Sequence, residues 1–184
     1  MKKIILLLLI LLAISSSVAQ EKAKKPIGEK KNELRIDMVK LLAVPSLEIE
    51  YERILSTWSS TGGFIMYGDG DGDLERKFRI GGFYRGYFTQ NKEYGTKGFY
   101  AEILTGYYEG DEYLLTYFDF NDDPYNEVDF SYNGLEAGFK LGYKWVNKTG
   151  FIIQADLGIS RGLFRSEYSP ENFLLGGVKI GWRF

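Results

Sequence analysis

The chain contains no cysteine and no histidine. Without cysteine there is no disulfide framework, no thiolate metal site and no cysteine nucleophile. Without histidine the commonest general base and metal ligand is also missing. Proline is scarce, with 4 residues among 184, and formal charge nearly cancels, 23 Lys and Arg against 25 Asp and Glu for a net −2. That balance gives no basis for a nucleic-acid partner. Long apolar runs are lacking too: beyond the first residues, no stretch is apolar enough for a membrane helix.

Glycine (22 residues) and aromatic side chains (16%) are abundant instead. Many glycines and aromatics with little proline and alternating apolarity predict a large curved antiparallel sheet. The N-terminus predicts its destination. Lys2 and Lys3 precede an apolar run over residues 4–14, and residues 15–19 are small and end in Ser17-Val18-Ala19. Such an order is a secretory signal peptide, residues 1–19, cleaved after Ala19. No cysteine follows it, so a lipoprotein anchor is excluded, and the polar residues 20–32 read as a periplasmic leader.

Eight strand-like stretches follow, at residues 33–42, 47–55, 58–68, 76–88, 98–108, 132–145, 151–160 and 173–184. The last divides into Leu174, Gly176, Val178, Ile180, Trp182 and Phe184 on one face and Phe173, Leu175, Gly177, Lys179, Gly181 and Arg183 on the other. In the sixth, Leu135, Ala137, Phe139, Leu141, Tyr143 and Trp145 oppose Gly134, Glu136, Gly138, Lys140, Gly142 and Lys144. The third cannot be given a register, because Phe64 and Met66 fall opposite Ile65 and Tyr67.

Alternation alone leaves open which face points inward. Three features favour apolar-out. The strands are long, as a tilted membrane crossing requires. Glycine shares the face of the charges, which a crowded barrel interior needs. Loop lengths alternate, with external connections at 43–46, 69–75, 109–131 and 161–171 and periplasmic turns at 56–57, 89–97 and 146–149. Trp58, Trp145 and Trp182 then fall together at the periplasmic rim, like an interfacial girdle.

With its signal peptide, eight-strand meander and terminal Val178-Lys179-Ile180-Gly181-Trp182-Arg183-Phe184, the chain resembles the small outer-membrane β-barrel proteins of the OmpA/OmpX type. The segment Leu47-Glu48-Ile49-Glu50-Tyr51-Glu52-Arg53 is similar to that of uncharacterised outer-membrane β-barrel domains in the same superfamily. The resemblance implies that Val178, Ile180, Trp182 and Phe184 form the signal read by the barrel-assembly machinery. It also weighs against catalysis, because the lipases, lipid A enzymes and omptin-type proteases of similar fold depend on histidine.

The expectation is therefore an all-β, eight-stranded antiparallel up-and-down transmembrane β-barrel over residues 33–184, in contact with outer-membrane lipid. Its interior would hold a network of Glu48, Glu50, Glu52, Arg79, Arg85, Glu102, Glu136, Lys140, Asp156 and Lys179, joined by Arg35, Asp37, Lys77, Lys144 and Arg183. Paired charges there would fill and lock the barrel. No enzyme activity, cofactor or metal is expected. The alternating carboxylates of Asp69, Asp71, Asp73 and Glu75 resemble a calcium loop, but Ile80 stands at the twelfth position where a bidentate Glu would be needed. The aromatic and acidic insert 109–131 could equally extend two strands above the membrane as a hairpin, and its exposed aromatics could bind an extracellular ligand. The alternatives are a secreted, lipocalin-like carrier of an apolar ligand and a small outer-membrane pore.

Overall fold

The computed structural model describes residues 26–43, 46–68, 76–88, 93–115, 127–166 and 169–184. The expected signal peptide, the acidic run 69–75 and the tip of the insert, 116–126, lie outside the described residues. Eight strands form: β1 (Asn32–Asp37), β2 (Ser46–Ile54), β3 (Ser59–Gly68), β4 (Phe78–Tyr87), β5 (Gly98–Leu115), β6 (Glu127–Val146), β7 (Phe151–Arg165) and β8 (Asn172–Arg183). Each pairs antiparallel with the next, and β8 returns to β1 through Leu34↔Trp182 and Ile36↔Ile180, which closes the barrel.

Polarity is turned outward along the wall. Leu135, Phe139, Leu141, Tyr143 and Trp145 of β6 are exposed, while Glu136, Lys140 and Lys144 between them are buried. The same parity holds in β8, where Leu174, Val178 and Trp182 face out and Phe173, Leu175, Lys179 and Arg183 face in. In β3 the structure supplies the missing register, with Phe64 and Met66 inside and Ile65 and Tyr67 outside. Room for inward rings comes from glycine directly across the ladder. Gly62 opposes Phe83 and Gly81 opposes Phe64, and a Cβ on either glycine would stand 2.5 Å from the facing ring.

The first expected strand, residues 33–42, is corrected. β1 stops at Asp37, and the next six residues coil into a helix, α1 (Met38–Ala43). Asp37 caps it, its Oδ1 accepting from the N–H of Val39 at 3.0 Å and of Lys40 at 3.1 Å. Two causes favour the helix. Continued as a strand, the alternation would aim Lys40 out of the wall, away from Glu48, its partner across the interior. Met, Lys, Leu and Ala are also good helix formers, and none of the Gly, Asn or Asp residues that tight hairpin turns need lies between 38 and 46.

One end of the barrel, here the base, carries Asn32, Arg183 and the short turns; the other, the rim, carries the long connections. At the base, the Asn147 side chain accepts from the N–H groups of Thr149, Gly150 and Phe151, and Gly150 takes φ +107°. Ser56 Oγ accepts from the Trp58 and Ser59 N–H groups in the same manner. A 3-10 turn, Ile27–Glu29, at the end of the expected leader packs Ile27 on Val146 and Ile152. Toward the rim, β5 and β6 pair as far as Leu115↔Glu127, so much of the insert 109–131 is ladder rather than loop. Likewise β7 runs to Arg165, into the expected connection 161–171.

Candidate functional site: the charged interior

Inward positions on seven of the eight strands converge on one acid–base lattice, while β3 turns Phe64 and Met66 inward instead. Near the base, β1 supplies Glu33 and Arg35, β2 supplies Glu50 and Glu52, β4 supplies Arg85, β6 supplies Lys144 and β8 supplies Arg183. Arg35 Nη2 lies 2.5 Å from both Glu50 and Glu52, and its Nη1 reaches Glu33. Arg85 crosses the interior to Glu52 at 2.5 Å, Glu50 at 2.7 Å, Gln154 at 3.1 Å and Glu102. Lys144 Nζ joins Glu33 and Glu52, each at 2.8 Å.

Midway along the barrel, Lys140 meets Glu102 at 2.7 Å and Asp156 at 3.6 Å, while Lys179 joins Glu50 at 2.7 Å, Glu48 at 3.2 Å and Asp156 at 3.4 Å. Tyr87 donates to Glu52 at 2.9 Å and Tyr100 to Asp156 at 3.1 Å. Apolar side chains are layered between the charges. Phe64, Phe83, Leu104 and Leu175 cluster, and the guanidinium groups of Arg79 and Arg85 lie 4.2 Å above the Phe64 and Phe83 rings.

Toward the rim, Glu136 receives Arg79, Arg76 at 3.0 Å and the Ser160 hydroxyl at 2.5 Å. Arg76 enters from the connection before β4 and sits 4.3 Å over the Phe173 ring, beside Tyr108 and Tyr132. Its guanidinium is pulled down to about 10, first by burial and then by the like charge of Arg79.

The ten network positions expected on the inner face all lie inside and are all buried. Val178, Trp182 and Phe184 are exposed on the outer wall, with Ile180 partly so. Lys77 is a correction: instead of entering the interior it pairs at the rim with Asp111, in the stretch where β5 leaves β4 behind. Glu33 was missed although parity with Arg35 marks it, while Gln154, on the same face as Asp156 in the sequence pattern, joins the lattice as a neutral member bonded to Arg85 and Asp156. Lys40 and Arg76 were missed because the expected strands 33–42 and 76–88 give both the outward parity, whereas in the structure each lies beyond the end of its strand and turns inward.

Chemically, the lattice engages each of its carboxylates with a cation, and leaving one buried partner uncompensated costs about 3–5 kcal/mol. It is therefore suited to holding charge in place. Among the described residues no three carboxylates converge as a metal site. The base is closed by Arg183, which donates to the carbonyls of Tyr94 and of Thr96 (2.8 Å) and thereby draws the residues 93–97 under the barrel. This accounts for a turn longer than the other base turns. No protein-family model, curated protein or solved structure matches the chain.

Proposed function

We propose that this protein is a non-enzymatic β-barrel of the bacterial outer membrane, exported by a cleaved signal peptide and locked by its charged interior. In this reading its rim connections act outside the cell as a structural or surface-interaction element. The observation that carries the reading is the outer wall. Leucine, isoleucine, valine and aromatic side chains are exposed on every strand, including Ile103 at 62% and Leu157 at 64%, while the ionised groups are packed inside. In water such a surface would aggregate; in a bilayer it is the required one.

Dimensions support it. Strands of about 9–11 residues cross a bilayer when tilted by about 45°, and all but β1 reach 9 residues or more. Trp58, Phe99, Trp145, Phe151, Trp182 and Phe184 gather at the base, where an interfacial girdle belongs. The carrier alternative requires an apolar interior, and the charged lattice argues against it. A pore is disfavoured because side chains occupy the space that water would need. Fractionation of expressing cells tests the proposal. The protein should stay with detergent-extracted outer membranes and migrate differently on gels before and after boiling; recovery in the soluble periplasmic fraction would refute it.

A further inference from the structure

Below the rim, the outward positions of the strands carry a single charged residue. Glu109, Asp111 and Arg161 have outward parity at the rim, and each has a partner there, Tyr107, Lys77 and Glu171 respectively. From those levels down to the base the outward set is uncharged, and only Arg53, near the end of β2, interrupts it. Arg53 is exposed and meets no carboxylate among the described residues. Its one bond runs from Nη1 to Asn32 Oδ1 at 3.0 Å.

That bond belongs to a fixed arrangement. Asn32 stands directly across the ladder from Arg53, and its Oδ1 also accepts from the Tyr51 hydroxyl at 2.9 Å. With the oxygen engaged twice, the two Nδ2 donors of Asn32 remain for a ligand, as do Nε and Nη2 of Arg53. All of these groups donate, a set that suits an oxyanion. The level of the site is fixed as well. Asn32 pairs with Phe184, so Arg53 lies in the row of the aromatic residues at the base, and the next outward row is the exposed strip Tyr51, Leu34 and Trp182.

On the membrane reading proposed above, on which this inference rests, that row is the inner-leaflet interface, with lipid phosphates level with Arg53 and acyl chains beside the strip. Surrounding charge selects among headgroups. Lys31 is exposed and pairs with Ile54, the neighbour of Arg53, whose N–H donates to the Lys31 carbonyl at 2.8 Å. The described residues of the base carry Lys30, Lys31, Arg53, Lys97 and Lys148 against only Glu29 and Glu93. A headgroup with its own ammonium adds like charge to this surface, whereas one of net negative charge offsets it. We infer that Arg53, held by Asn32, binds the phosphate of an anionic phospholipid of the inner leaflet, whose chain lies along Tyr51, Leu34 and Trp182.

The test uses the full chain refolded into phosphatidylcholine vesicles, with Trp58→Phe and Trp145→Phe so that Trp182 alone reports. Brominated phosphatidylglycerol and brominated phosphatidylcholine are compared as quenchers, and heat-modifiable migration checks the insertion of each variant. The anionic lipid should be preferred at Trp182 by about five-fold, the increment of one basic residue at a charged interface. Arg53→Gln should bring the ratio close to one; Arg53→Met serves the same comparison if the glutamine variant does not insert. Asn32→Leu should lower the ratio with the charge intact, while Lys148→Gln, which removes an equal charge from the β6–β7 turn, should leave it unchanged. Quenching by neither lipid would refute the membrane reading itself. Quenching without preference, or a preference that survives loss of Arg53 or falls equally with Lys148→Gln, would overturn the site. Loss of the preference in inorganic phosphate, but not in chloride of equal ionic strength, would overturn the lipid as its occupant in favour of a soluble anion.

Discussion

Replacing Arg85 by methionine keeps most of its volume and removes its charge. Arg85 is wholly buried and serves Glu50, Glu52 and Glu102 together, besides Gln154 and the rings of Phe83 and Tyr100. Glu50 and Glu52 retain Arg35, with Lys179 and Lys144 respectively, and Glu102 retains Lys140. No carboxylate is thus stripped bare, but the lattice gains one uncompensated negative charge in a medium where a unit pair at 4 Å is worth about 4 kcal/mol. The expected loss of folding stability is about 3–5 kcal/mol, the usual result of breaking a buried ion pair from one side. Denaturant titration of the refolded barrel measures it. Adding Glu102→Gln to Arg85→Met should recover part of the loss, and the double-mutant cycle isolates that coupling. A loss below about 1 kcal/mol, the range of solvent-screened pairs, would mean that water reaches the lattice, and the account of a filled, dry interior would be wrong.

Other perturbations probe separate parts of the molecule. Arg183→Gln should release the 93–97 turn from the base, seen as faster protease cleavage there with little change at the rim. Gly81→Ala should destabilise strongly, because its Cβ would stand 2.3 Å from the Thr105 carbonyl oxygen, whereas Gly86→Ala meets nothing within 4 Å; paired unfolding curves that coincide would contradict the packing. Asp37→Ala removes the α1 cap and should cost about 1 kcal/mol, read as faster amide exchange at Val39 and Lys40 while the β1–β8 ladder stays protected.

Parity made most of this legible beforehand. In β6 and β8 the two faces differ so sharply in size and charge that only one register is possible, and the glycines opposite large inward side chains mark the crowded side. β3 was illegible because Phe64 and Met66 are apolar yet inward: they lie beneath Arg79 and over Gly81, and only the neighbouring strand reveals this. α1 escaped because Met38 to Leu42, apolar on both faces, reads as the continuation of the alternating Leu34, Ile36 and Met38. The decision is made by Glu48, which lies on another strand and takes the Lys40 ammonium, and by the lack of hairpin-turn residues. The extended β5–β6 ladder is only half legible, because the acidic and aromatic residues of 109–131 suit an external loop as well as two strands continued as a hairpin, and only the partner strand decides.

The orientation of the wall is tested most directly by an arginine at its middle. Leu157, on β7 between Leu141 and Gly176, faces outward. Folded into phosphatidylcholine vesicles, Leu157→Arg should lose about 2–4 kcal/mol, the cost of such a charge at the bilayer midplane. A variant as stable as the parent, with both remaining folded and monomeric in buffer without lipid or detergent, would contradict the membrane account.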